Sequence, residues 1–375
     1  MRATSLSISA LALILSIAPA LAQPDRAAAP GGFRHAVPGW RFEFPRDHGS
    51  HEEFRTEWWY FTGQLRTEGG RRFGFELSFF RVGVRPPGPA PSSAWDLRNL
   101  ALAHFAISDL DRKEFRYHEK LNRASRYTAS SAEGRLDLFN ENWRAAALPD
   151  GRWSIRAAAE GDAIDLVLRA LKPPAIHGRD GISVKGPERG AASHYYSMTR
   201  LEAAGTIDVG DGAEACRGQA WMDHEFSTTI VAEDQVGWDW FSLQLDDGTE
   251  LMLYQLRRSD GSIDPASSGS FIAVDGSVAH LGRDDLAIEP RGRWRSPVSG
   301  AVYPMGWDVR VPARGLALRV VEEMRDQELV TAGSTGMTYW EGAVRVTGRS
   351  SGRAVRGAGY VEMTGYAEPF SLPTE

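Results

Sequence analysis

The chain has 375 residues, a formal net charge of −6, and 25% charged against 42% apolar side chains. Acids and bases are interspersed, so no basic stripe forms and nucleic acid is not an expected partner; the single cysteine, Cys216, excludes an internal disulfide. At roughly 100–200 residues per domain, the length calls for two domains that each bury a core.

Residues 1–22 carry an early Arg2, an uncharged apolar stretch from Leu6 to Ala18, and small residues at Ala20 and Ala22. That is the layout of a secretory signal peptide cleaved before Gln23. The apolar stretch falls short of the roughly 20 residues a spanning helix needs. A soluble periplasmic or secreted protein is therefore expected, with a Pro-, Ala- and Gly-rich flexible leader at 23–39.

From there the chain alternates short apolar runs with turn signals and shows little 3.6-residue periodicity, which predicts an all-β fold. Gly69-Gly70, Asp247-Gly248 and Asp275-Gly276 sit between alternating runs as hairpin turns, where positive φ is cheap. Pro149-Asp150-Gly151 marks another turn. The segment 172–192 is long, polar and Gly/Pro-rich, and reads as a linker or as a lid over a barrel mouth. Because strands continue through W-M-D-H-E-F and restart at V-G-W-D-W-F, the domain boundary is placed near residue 230, giving domains 40–230 and 231–375.

Three acid-plus-aromatic strands stand out. In T-E-W-W-Y-F-T-G (56–63) the pleat puts Glu57, Trp59 and Phe61 on one face and Trp58, Tyr60 and Thr62 on the other. Both faces are aromatic, so neither is expected to meet bulk water. Glu57 is either an ionised partner of an arginine such as Arg81 at a barrel rim or a pocket carboxylate. In A-W-M-D-H-E-F (220–226) Trp221, Asp223 and Glu225 share a face and Met222, His224 and Phe226 the other. Two carboxylates roughly 7 Å apart beside an indole can have their pKa values driven apart, leaving one protonated as a general acid. G-W-D-W-F-S (237–242) again mixes Trp238 and Trp240 with an acid, Asp239.

These motifs, with A-H-F-A-I-S-D (103–109), Y-W-E-G-A-V (339–344) and G-Y-V-E-M-T-G-Y (359–366), resemble the secreted AttH-like proteins related to carotenoid 1,2-hydratase, or hydroxyneurosporene synthase. The resemblance implies two lipocalin-like β-barrel domains in tandem. It also implies an aromatic-x-Asp-His site on Trp221, Asp223 and His224, with Asp223 as proton donor and an aromatic near Tyr196. The chain departs from the hydratase pattern at Trp221 and Glu225, where tyrosine and asparagine are expected.

The site expected on this basis has Asp223, Glu57, His224 and Glu225 as catalytic candidates. Trp59, Tyr60, His104, Tyr196, Trp221, Trp238 and Trp240 would contact a hydrophobic isoprenoid or lipid. Protonating an isolated C=C needs a neutral acid in a dry pocket and aromatic faces for the cation, worth about 2 kcal/mol when desolvated. No metal or organic cofactor is required. Glu57, His104, His194, Asp223, His224 and Glu225 are metal-ligand types, but none falls in a compact signature such as H-x-x-x-H or H-E-x-x-H. A carboxylate pair acting on a glycosidic bond fits the spacing less well, because the pocket reads as apolar. Two functions follow: an acid-catalysed hydratase, isomerase or cyclase, or a non-enzymatic lipid carrier with a membrane exporter as partner. Glu341 and Glu362 read as arginine partners, and Tyr339 and Tyr366 as seals of the second barrel or of the domain junction.

Overall fold

The structure, a computed structural model, describes residues 30–88, 93, 96–229, 232 and 234–370. The expected signal peptide and the first part of the leader lie outside the described residues. The rest of the leader is not loose: Phe33 and Ala36 are buried, and the Arg34 amide donates to the Glu53 carbonyl. Phe33 packs so closely on Gly83 that any side chain there would collide with its ring. The composition of 23–39 hid these two apolar anchors.

The chain is all-β, with only four short 3₁₀ turns among the described residues. Thirteen strands make the first sheet: β1 Thr56–Thr67, β2 Arg72–Gly83, β3 Asn99–Asp109, β4 Glu114–Arg123, β5 Ala129–Ser131, β6 Asp137–Asn140, β7 Trp143–Ala147, β8 Trp153–Ala159, β9 Asp162–Ala170, β10 Ala175–Ile176, β11 Ser183–Val184, β12 Ala192–Val209 and β13 Glu214–Ser227. Their order is β4-β3-β2-β1-β13-β12-β9-β8-β7-β6-β5, with β10 and β11 also on β12. The sheet nearly closes where Asn140 Nδ2 donates to the Ala101 carbonyl.

The second half adds β14 Gln235–Leu245, β15 Glu250–Arg258, β16 Ser268–Ile272, β17 Val278–Leu281, β18 Ala287–Pro290, β19 Trp294–Arg295, β20 Val302–Tyr303, β21 Gly306–Val311, β22 Leu316–Glu322, β23 Glu328–Val330, β24 Thr338–Ser350 and β25 Arg353–Met363. All but the β19–β20 ribbon belong to one sheet, ordered β17-β16-β15-β14-β25-β24-β22-β21-β18, with β23 on β24. The sheet changes between β13 and β14. The architecture is two lipocalin-like barrels in tandem. Hairpins turn where Gly70, Gly248 and Gly276 take positive φ, the conformation that glycine adopts without a Cβ clash.

Each barrel has its own core, around Trp59, Phe61, Phe105 and Trp143 in the first and Phe241, Trp307, Trp340 and Val344 in the second. A third apolar cluster lies between them. Tyr60, Tyr195 and Trp221 point outward from the first barrel against Trp240, Met252, Tyr254, Leu256, Ala343 and Tyr360 of the second. The outward face of β1, β12 and β13 is thus a second buried surface, as the two-sided aromatic pattern of T-E-W-W-Y-F predicts.

The segment 172–192 is the clasp that holds this contact. Lys172 Nζ donates to the Gly248 and Ala273 carbonyls and to Glu250 Oε2 at 2.7 Å, and Arg200 holds the other Glu250 oxygen. Ser183 Oγ meets the Tyr254 hydroxyl at 3.0 Å. Removing one member of a buried ion network strands the remaining charge. Lys172→Met is therefore expected to lower unfolding stability by about 3 kcal/mol in urea titrations followed by tryptophan fluorescence. A loss no larger than that of exposed pairs such as Arg156–Asp165 would show that the clasp is not a structural anchor.

Candidate functional site between the barrels

In β1 and β13, Tyr60 lies opposite Asp223, Trp58 opposite Glu225 and Trp59 opposite His224. The pleat sends Trp58, Tyr60, Trp221, Asp223 and Glu225 outward to the second barrel, and Glu57, Trp59, His224 and Phe226 inward. A cavity of about 120 Å³ opens on the outward side. Its walls are aromatic, with Trp58, Tyr60 and Phe80 from the first barrel and Trp238 and Trp240 from the second, and Asp223 and Glu225 border it.

Asp223 is 4% exposed and meets three donors. The Tyr195 hydroxyl donates to Oδ2 at 2.6 Å, and Trp221 Nε1 donates to Oδ1 at 2.6 Å, as does Ser197 Oγ. Burial pushes the carboxyl up to about 7 against these bonds, which favour the anion. Ser197 Oγ also lies 2.6 Å from His177 Nε2, whose Nδ1 is 2.8 Å from Ser270 Oγ. Burial holds His177 neutral, near 3, so it brings no positive charge to the Asp223 network. Glu225 has a different environment: Lys185 Nζ lies 3.1 Å from Oε1, and Ser193 Oγ donates to the same oxygen. Burial works against the Lys185 charge, but the Glu225 carboxylate raises its pKa, and the ammonium sits 4.1 Å from the Tyr254 ring centroid.

The inward face carries a separate cluster. Glu57 is 1% exposed and fully engaged: Oε1 accepts from His51 Nδ1 at 2.8 Å and His224 Nε2 at 2.9 Å, and Oε2 from Arg81 Nε at 3.1 Å. Burial alone would raise its pKa, but the Arg81 charge and the two imidazoles hold it well below the usual carboxylate range. Burial likewise opposes charge on His51, yet its bonds to Asp47 and Glu57 raise it to about 9. His51, Glu57 and His224 are the one group of at least three metal-ligand types among the described residues close enough to share an ion. Hydrogen-bond spacing of both imidazoles on a single oxygen, with a guanidinium on the other, marks the group as an ion and hydrogen-bond network.

Asp223, Glu225, Tyr60, Trp238 and Trp240 therefore meet at one cavity, with Trp221 behind Asp223. Glu57 is a partner of Arg81 near the start of β1; it is among the residues that line the cavity, but the pleat turns its carboxylate to the opposite face of the β1–β13 pair from Asp223. Three other expected residues also point elsewhere. His224 pairs with Glu57. Tyr196 lies inside the first barrel with its hydroxyl 2.6 Å from His48 Nδ1, and Trp59 Nε1 donates to the His48 carbonyl there. The aromatic hydroxyl at Asp223 belongs to Tyr195, one residue earlier. Alternation along S-H-Y-Y-S places Ser193, Tyr195 and Ser197 on one face and identifies it. His104 stands behind the cavity, its Nδ1 2.6 Å from the Tyr339 hydroxyl. Lys185 and His177 come from the Gly/Pro-rich segment and carry no local signal. Glu341 and Glu362 face the cavity region without arginines, with the Tyr60 hydroxyl donating to Glu341 and Trp238 Nε1 to Glu362 at 2.9 Å.

Fold and site together define a two-barrel lipocalin-like protein with a buried carboxyl at an aromatic cavity between its barrels. Over residues 35–366 the sequence matches the AttH-like family, and the chain belongs to it. An AttH homologue from Nitrosomonas europaea is 34% identical, with a TM-score of 0.80 over 89% of this chain and 99% of that one. Kievitone hydratase from Nectria haematococca superposes with a TM-score of 0.67 over 91% of this chain and 96% of its own, at 13% identity, a likeness of fold. No curated protein sequence matches the chain.

The two acids have opposite effects on stability. The folded-state pKa of Asp223, about 7, lies above the roughly 3.9 of an unfolded aspartate, so its ionisation costs stability progressively as pH rises from about 4 to 7. Thermal midpoints of Asp223→Asn relative to wild type are expected to shift in the variant's favour across that window and then level off. Glu57, held below its unfolded value, stabilises above roughly pH 4.3 and loses that contribution as pH falls. Glu57→Gln is expected to cost about 3–5 kcal/mol at pH 7. A flat Asp223→Asn difference would contradict the assignment of a neutral carboxyl.

Proposed function

We propose that the protein is an exported hydratase or isomerase that binds an isoprenoid or lipid-like olefin between its barrels and protonates it from Asp223. The observation that carries this reading is a carboxyl buried at a cavity walled by Trp58, Tyr60, Phe80, Trp238 and Trp240, pushed up to about 7 by that burial and, among the described residues, with no cation bonded to it. The hydratase activity named for its fold relative, kievitone hydratase, agrees with that chemistry.

In the proposed step, the C=C electron pair takes the proton of Asp223, leaving a carbocation and a carboxylate. The indole and phenol faces stabilise the cation, and water is largely excluded from the walls. Hydration follows when a water oxygen bonds to the cation and gives its extra proton back to the Asp223 carboxylate. Isomerisation follows when the cation instead loses a neighbouring proton to it. Ser197, itself 2.6 Å from His177 Nε2, orients the carboxyl. Lys185 pairs with Glu225 at 3.1 Å and not with Asp223, so the two acids have different partners.

Native mass spectrometry of the exported protein with its co-purified ligand tests the proposal. Wild type is expected to carry a product, heavier by one water for a hydratase, while Asp223→Asn retains unconverted substrate. Removing a general acid of this kind costs roughly 10²–10⁴-fold in rate. The same unchanged ligand in both forms would make the protein a carrier, and an empty cavity in both would overturn the ligand site itself.

A further inference from the structure

The cavity has a second acidic end, opposite in character to the Asp223 end. Glu76 on β2 and Glu362 on β25 line it, and Glu341 on β24 lies behind Tyr60. Glu341 and Glu362 sit directly opposite each other in the β24–β25 register, an arrangement that like charges disfavour. Glu76 and Glu341 are 2% and 1% exposed, and each has one oxygen, Oε2, buried without a hydrogen-bond partner. Their surroundings supply Ser78, Tyr60, Tyr339 and the Trp238 indole, and among the described residues no lysine or arginine pairs with any of the three.

Burial pushes Glu76 up to about 7 and Glu362 up to about 8, and burial with the neighbouring acids holds Glu341 well above the usual carboxylate range; without a counter-cation the group is biased to its protonated form, and a cation bound among them would favour ionisation. Aromatic walls and uncompensated acids together are the chemistry that receives an organic cation, through hydrogen bonds to the carboxylates and attraction to the ring faces. We infer that the Glu76 and Glu362 end of the cavity, backed by Glu341, is a head-group subsite for a protonated amine, so that the ligand is an amphiphilic amine whose apolar body lies against Trp58, Phe80 and Trp238. The inference rests on the cavity being the ligand site. A bound ammonium would bring hydrogen-bond donors and a positive charge to Glu76 and Glu362, the two acids of the group that line the cavity.

Tryptophan-fluorescence titrations with octylamine, octanol and octanoate at pH 7 test it. Octylamine is expected to bind wild type at least about tenfold more tightly than octanol, a difference of about 1.4 kcal/mol, and octanoate more weakly than either. Glu362→Gln, which keeps the acceptor for Trp238 Nε1, and Glu76→Gln are expected to abolish the amine preference while leaving octanol binding unchanged. Asp223→Asn is expected to keep the preference. Equal binding of octylamine and octanol, or a preference that survives both glutamine variants, would overturn the amine subsite while leaving the cavity as the ligand site. Binding of none of the three probes would remove both. Thermal melting of each variant separates loss of the subsite from loss of the fold.

Discussion

The structure depends on one constraint: both faces of the β1–β13 strand pair are buried, one in the first barrel and the other against the second. Strand pleating then sorts consecutive side chains onto two opposite faces. Asp223 and His224 are neighbours in sequence, yet one borders the cavity and the other is bonded to Glu57 inside the barrel. The same sorting separates Glu57 from Trp58. Two carboxyls of similar intrinsic acidity thus reach opposite states because Glu57 is bonded to Arg81 and His51, whereas the donors bonded to Asp223 itself, Tyr195, Ser197 and Trp221, are neutral.

The second barrel completes the site. Without Trp238, Trp240 and Tyr254, the outward face of β1, β12 and β13 would be open to water, and the desolvation that raises the Asp223 carboxyl would be lost. Lys172, His177 and Lys185, all from the clasp segment, couple the closure of that face to the chemistry next to it. His177 bridges the barrels through Ser197 and Ser270 and touches the Asp223 hydrogen-bond network at the same time. Domain contact and proton placement are therefore one feature of the fold.

Much of this was legible in the sequence where the information is local. The turns at Gly70, Gly248 and Gly276, the all-β class and the shared face of Trp221, Asp223 and Glu225 all follow from period-2 alternation and positive-φ residues. The two-sided aromatic pattern of T-E-W-W-Y-F also signalled a strand buried on both sides. What the pattern could not give was which side faced which compartment. Glu57 was joined to Asp223 because both are acids beside tryptophans, although β1 and β13 pair in a register that points them apart. The resemblance puts an aromatic near Tyr196, whereas the pleat brings Tyr195 to Asp223. Glu341, Lys185 and His177 depend on contacts across long stretches of chain, Tyr60 and Glu341 being 281 residues apart, and no local periodicity encodes them.

The claim at the centre is that Asp223 holds its proton near neutral pH while Glu57 does not. Infrared difference spectroscopy of the carboxyl stretch measures this directly across a pH series on wild type, Asp223→Asn and Glu57→Gln. The account predicts protonated-carboxyl absorption with one component that titrates near pH 7, is lost in Asp223→Asn and persists in Glu57→Gln, on top of the absorption of the buried Glu76, Glu341 and Glu362, which both variants retain. A wild-type band unaffected by Asp223→Asn, or an Asp223 midpoint within the ordinary carboxylate range, would contradict it.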